Sequence, residues 1–189
     1  EQVVISFDPG FTGGICILEK GLPRLFNMPV LKVKESTQYD VLAILNIIAP
    51  YATADVITAI ENVHTMPGQG VSSQGKMMEG KGILIGLCAG VFKKMPQMVS
   101  PQSWKKSFSE LISTPEICEL RLQISEGKLK GSKLTAAKSR YKSLVKSNTR
   151  KCLAVREPQL EKEVCRIKDD GKADAYFIAL HASQKEKLR

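Results

Sequence analysis

Acidic residues stand at three places in this chain where a carboxylate is costly. Asp8 closes an apolar run in Phe7-Asp8-Pro9-Gly10, and Glu61 ends another in Ala59-Ile60-Glu61-Asn62. A third cluster reads Asp169-Asp170-Gly171-Lys172-Ala173-Asp174, with apolar residues 176–180 directly behind it. A carboxylate at the end of a buried strand needs a partner or a cation to offset its lost hydration. If the last helix starts at the third cluster, Asp170 and Asp174 are four apart and share a face. Carboxylates gathered without histidine or cysteine suit hard cations such as Mg²⁺ or Mn²⁺. Two such ions, roughly 3.5–4 Å apart, can activate water and stabilise the leaving oxygen of a phosphodiester. The structural alternative makes Asp8 a turn residue and Asp170 a helix cap. It serves for any one of them, and less well for three clusters placed so consistently.

The elements that must position these groups follow from the pattern. Residues 3–7, 15–18 and 25–29 read as strands, and the short links at 9–14 and 21–23 predict two hairpins. Residues 39–48 have helical periodicity, with Val41, Leu42, Leu45 and Ile48 on one face, and Pro50 stops them. Residues 55–63 form a fourth strand, 64–70 a Gly-rich loop, 72–92 a long helix and 98–99 a fifth strand. Ser100 is a good N-cap with Pro101 in the first helical position. Further helices are expected near 115–124, 132–145 and 172–185. The order predicts an α/β fold. Its mixed five-stranded sheet has three antiparallel plus two parallel strands, with helices on both faces. Strands one and four can then lie side by side and bring Asp8 to Glu61.

The 189 residues, 43% hydrophobic and 25% charged, suit one domain and exclude a disordered chain or a coiled coil. The longest apolar run, 82–92, is too short to span a bilayer, and the basic stretch at 127–151 lacks the strong apolar face a membrane surface would need, so no membrane partner is expected. No secretory signal opens the chain. Without an initiator Met, a removed targeting peptide stays open. Cys16, Cys88, Cys118, Cys152 and Cys165 are odd in number and lack C-x-x-C spacing. With His64 and His181 the only histidines, no zinc site is expected. Reduced cysteines point to an intracellular compartment.

The net charge of +9 is concentrated. Residues 127–151 hold nine basic side chains and no acid: Lys128, Lys130, Lys133, Lys138, Arg140, Lys142, Lys146, Arg150 and Lys151. The rest of the chain balances 19 basic against 19 acidic residues. A polyanion-binding segment on a neutral core is the natural reading, with nucleic acid as partner. A solvated basic helix is the plain alternative.

Several pieces together resemble the RuvC-like Holliday junction resolvases of the RNase H-like superfamily, most in look those of bacteriophages and chloroplasts. They are Phe7-Asp8-Pro-Gly-x-Thr-Gly-Gly, Ile60-Glu61-Asn62-Val63, His64-Thr-Met-Pro-Gly-Gln-Gly, Ser100-Pro-Gln-Ser-Trp104-Lys105-Lys106 and Asp170-Gly-Lys-Ala-Asp174-Ala. The resemblance spans most of the chain, except a longer basic helical insertion at about 107–165. It implies an RNase H-like nuclease domain in which Asp8, Glu61, Asp170 and Asp174 hold two Mg²⁺ ions, with Mn²⁺ as substitute and no small-molecule cofactor. Spacing the last two acids by four is the phage and chloroplast pattern; bacterial members space them by three. Some chloroplast relatives carry His and Glu at the places of Asp170 and Asp174, which leaves Asp169 as a spare candidate. The resemblance further implies a homodimer that nicks four-way DNA junctions symmetrically, leaving 5′-phosphate and 3′-hydroxyl ends. Its setting would be a host cytoplasm or an organelle.

Other residues take provisional roles. His64 stands three after Glu61, where bacterial relatives put an aromatic, and with Met66 and Gln69 it would meet distorted bases. Lys76, Lys81, Lys105 and Lys106 would meet phosphates, as would Lys138, Arg140 and Lys142 of the basic stretch. Trp104 is a core anchor or a stacking platform. Gly82, Gly86 and Gly90 line one stripe of the long helix, either against the chain's own sheet or at a dimer interface. Three rival functions remain at this level: an ATP-using protein of the actin and sugar-kinase type, another RNase H-like nuclease, and a non-catalytic DNA-binding module.

Overall fold

Two buried strands organise the molecule. In the computed structural model, which describes residues 2–63 and 71–187, β1 (Val3–Asp8) and β6 (Val56–Glu61) pair in parallel at the centre of a sheet. Both are nearly continuous apolar runs because helices cover both of their faces. β2 (Gly14–Glu19) pairs antiparallel with β1, and β3 (Leu22–Asn27) antiparallel with β2. Lys20 and Gly21 close the β2–β3 hairpin, both with positive φ, as a two-residue type I′ turn demands. β7 (Gln97–Val99) adds to β6 in parallel, giving the order β3-β2-β1-β6-β7. This is the predicted mixed five-stranded sheet. The third strand begins earlier than expected, at Leu22 rather than residue 25.

A hairpin that the sequence pattern does not announce follows it: β4 (Val30–Val33) and β5 (Ser36–Tyr39). α1 (Val41–Ile48) then starts at an Asp40 cap, whose side chain accepts from the Ala43 N–H at 2.9 Å. With α2 (Val71–Phe92) it covers one face of the sheet. Leu84, Cys88 and Phe92, four apart, supply the buried stripe of α2. Gly80 lies against Tyr39, and a Cβ there would run into the ring.

The other face carries α3 (Pro101–Ser107), α4 (Pro115–Ser125), α5 (Gly131–Arg156), the single turn α6 (Glu161–Val164) and α7 (Asp170–Lys187). Ser100 caps α3 as expected, accepting from the Ser103 N–H at 3.2 Å. The predicted helix at 132–145 instead runs unbroken to Arg156. Its polar Asn148 and Thr149 do not break it. Asn148 donates to the Glu110 carbonyl at 2.8 Å, and Thr149 donates to the Val145 carbonyl at 2.8 Å. α7 is buried on nearly every side from Gly171 to Ala179 and packs directly on β1, β2 and β6. Ala173, Ala175, Ala179 and Ala182 let it approach, and Ser6 donates to the Ala175 carbonyl at 2.5 Å. Among the described residues, no helix is long and apolar enough to cross a membrane.

Candidate active site

Strand alternation sets the site. Val3, Ile5 and Phe7 point to the α1–α2 side, so Val4, Ser6 and Asp8 face α7. On β6, Ile57 and Ala59 face α7 as well, and Glu61 continues that series. The parallel register pairs Phe7 with Ile60, so the next step sets Asp8 beside Glu61 at the strand ends.

Glycines bring the third carboxylate to them. Gly14 pairs with Asp8 across the β1–β2 ladder. A Cβ on Gly14 would lie 2.6 Å from the Gly171 carbonyl and the Lys172 nitrogen. Gly13 forms an isolated bridge with Gly171, and a side chain on Gly171 would collide with the Gly13 backbone. With three glycines at this crossing, the first turns of α7 lie on the end of β1, and Asp174 faces Asp8 and Glu61.

The electrostatics show that these three groups feel one another. Burial pushes the Asp8 carboxyl well above its ordinary value, and the charges of Glu61 and Asp174 push it further. Lys146 and Lys105 oppose this. Asp174 is raised to about 6, mainly by burial, with Glu61 adding to the rise and Lys105, Lys146 and Arg150 working against it. Glu61 is held by Trp104, whose buried indole donates to Oε1 at 2.9 Å. Trp104 is thus the core anchor, and it also fixes a site carboxylate. Lys105 lies over its ring, 4.8 Å from the centroid.

Asp170 stands apart from this trio. Arg150 donates to its Oδ1, and Lys146 Nζ lies 3.6 Å from Oδ2. The two cations are four apart on α5. Asp169 is occupied otherwise. It is fully buried, takes three hydrogen bonds from Arg166, and lies 3.1 Å from Lys172 Nζ. Burial would raise its carboxyl, but these donors outweigh burial and hold it at about 2. Asp169 therefore locks the start of α7 and is no spare for Asp170.

Asp8, Glu61 and Asp174 fit a hard divalent cation in donor chemistry. They are oxygen ligands, and a cation between them would offset both the burial that chiefly raises Asp8 and Asp174 and the like charge that adds to it. As placed, no three carboxylate, histidine or cysteine side chains among the described residues converge on one point. Loading an ion there takes a shift of rotamers.

The remaining predicted residues fall into groups. His64, Met66 and Gln69 lie outside the described residues. Lys81 donates to Asn62 Oδ1 at 2.6 Å, next to the end of β6. Lys76 is exposed above the Phe11 ring, and Lys106 is exposed on α3. Lys138 and Lys142 are exposed on α5, whereas Arg140 is engaged by Glu116 at 2.6 Å. A Cβ on Gly82, Gly86 or Gly90 would meet nothing. The stripe therefore does not pack on the chain's own sheet, because Leu84, Cys88 and Phe92 take that face.

Lys146 and Arg150 are the site residues that sequence reasoning did not single out. Their signal was present as the four-residue step Lys142, Lys146, Arg150 in an acid-free segment. The chain matches no protein-family model and no curated protein.

Proposed function

We propose that this protein is a divalent-metal-dependent endonuclease that resolves four-way DNA junctions. The observation that carries the reading is that β1, β6 and α7 bring Asp8, Glu61 and Asp174 to the same end of the sheet, near enough for Glu61 and Asp174 to raise the Asp8 carboxyl, with the basic helix α5 packed on α7. Asp8, Glu61 and Asp174 would hold Mg²⁺, with Mn²⁺ as substitute. When bound, the cation supplies Lewis-acid charge at the phosphodiester and eases the deprotonation of water. Trp104 keeps Glu61 in one orientation. Lys105, held over the Trp104 ring, places a positive charge at the rim where a phosphate would enter. Hydrolysis forms a bond from water oxygen to phosphorus and breaks the bond to the 3′-oxygen, which leaves protonated. The ends are then a 5′-phosphate and a 3′-hydroxyl.

A four-way junction has two-fold symmetry, and an isologous dimer matches it. The open glycine stripe of α2 is available for the second copy. Exposed Lys138, Lys142, Lys76 and Lys106 would engage phosphates without reading bases.

The test is cleavage of a labelled synthetic four-way junction with and without Mg²⁺, beside linear duplex and RNA–DNA hybrid. Paired symmetric nicks on the junction alone support the reading. Cutting of the hybrid keeps the metal site and overturns the substrate. Asp8→Asn should abolish cleavage while leaving junction binding intact, measured by gel shift; full cleavage by that variant removes the carboxylate site from the account.

A further inference from the structure

We infer that Arg150 is a built-in cation of this site, so that each carboxylate cluster binds one divalent ion rather than two. The inference rests on the metal-dependent reading above. Arg150 and Asp170 are paired out of solvent, with side chains only 12% and 13% exposed. Lys146 approaches the other oxygen of Asp170 from one turn earlier on the same helix. Both oxygens of Asp170 are therefore faced by cations of α5. To ligate a metal, Asp170 would have to leave a largely buried guanidinium unpaired, which is strongly unfavourable.

The charges agree. Asp8, Glu61, Asp170 and Asp174 are faced by Lys105, Lys146 and Arg150, which leaves a formal charge of minus one when all are ionised. One divalent ion and one phosphodiester anion bring that to zero. A second ion would leave two uncompensated positive charges around the buried Glu61 and Asp174, which is costly. Arginine suits the place. Its guanidinium stays protonated, and after binding Asp170 it has N–H donors left over for a phosphate oxygen. Arg150 acts here as a positioning residue. It fixes Asp170 and holds a positive charge next to Asp174, whose carboxyl it draws downward.

The experiment is a titration of the full chain with Mn²⁺ alone, followed by electron paramagnetic resonance and calorimetry, at a pH well above the titration of Asp174. The expected stoichiometry is one Mn²⁺ per protomer for the native chain and for Asp170→Asn. Arg150→Met should take up a second Mn²⁺, and adding Asp170→Asn to it should return the count to one. Arg150→Lys keeps the charge and should stay at one, which separates a charge effect from a folding defect. Two ions in the native chain, falling to one in Asp170→Asn, overturn the inference and leave the nuclease reading standing. A single ion in a folded Arg150→Met also overturns it. No ion in the native chain overturns both.

Discussion

At the scale of single residues, the site depends on how its carboxylates are held. Trp104 is fully buried and gives its only polar hydrogen to Glu61. Trp104→Phe keeps most of the apolar packing and removes that donor, leaving a buried carboxylate oxygen without its partner. Such a loss costs about 1–3 kcal/mol. The expected outcome is a lower urea midpoint and junction cleavage slowed by about tenfold or more, since Glu61 loses its orientation. Unchanged cleavage would free Glu61 from any need of the indole. Asp8 and Glu61 were legible in the sequence because a charge ends an otherwise apolar strand. The link from Glu61 to Trp104 was not, because it joins residues 43 apart through one hydrogen bond. Asp169 and Asp170 could not be told apart by type. Only their partners separate them: Arg166 and Lys172 for the first, Arg150 and Lys146 for the second.

At the scale of elements, the crossing of α7 over the β1–β2 hairpin decides whether Asp174 reaches Asp8. Gly171→Ala forces a Cβ into the backbone of Thr12 and Gly13, so either the helix or the hairpin must move. Overpacking of this kind costs about 1–3 kcal/mol. The melting temperature should fall by several degrees, and Mn²⁺ binding should weaken with it; a native melting curve would mean that the crossing has slack. On α5, neutralising Lys138 and Lys142 should reduce the salt slope of junction binding by about 2, near one per lost phosphate contact. Arg140→Gln should change it less, because Glu116 already engages that guanidinium. Equal effects of all three would place the salt link outside the DNA-binding state. The early end predicted for α5 explains why Lys146 and Arg150 were counted in the basic stretch but not placed at the carboxylates. Ser147, Asn148 and Thr149 look like a break, and only tertiary contacts to Glu110 and Leu111 turn Asn148 into a docking residue. The β4–β5 hairpin escaped for a related reason. Its residues are mostly exposed, so no buried run marks it.

At the scale of the whole molecule, burying like charges for a site has a consequence for stability. Asp174 is raised from 3.8 to about 6, chiefly by burial. A carboxyl raised on folding binds its proton more tightly in the folded state. Metal-free protein should therefore lose stability as pH rises from about 4 through 6, and regain it on acidification across that window. His181 works in the opposite direction. Burial lowers its ring below 6.5, where it meets Ser103 and Ser107 hydroxyls at 3.0 and 2.9 Å, so its contribution is lost as pH falls below that value. Asp169, held at about 2, loses its contribution only below about 4. The comparison that isolates the cluster is therefore native chain against Asp174→Asn, by urea unfolding in chelator at pH 5 and pH 7.5. The variant should be the more stable of the two at pH 7.5, with the gap narrowing towards pH 5. Saturating Mg²⁺ at pH 7.5 should stabilise the native chain and leave the variant nearly unchanged. A native chain as stable as its variant at pH 7.5 would mean that a charged Asp174 carries no cost where it is buried beside Glu61, and the case for a cation there would lose its physical ground.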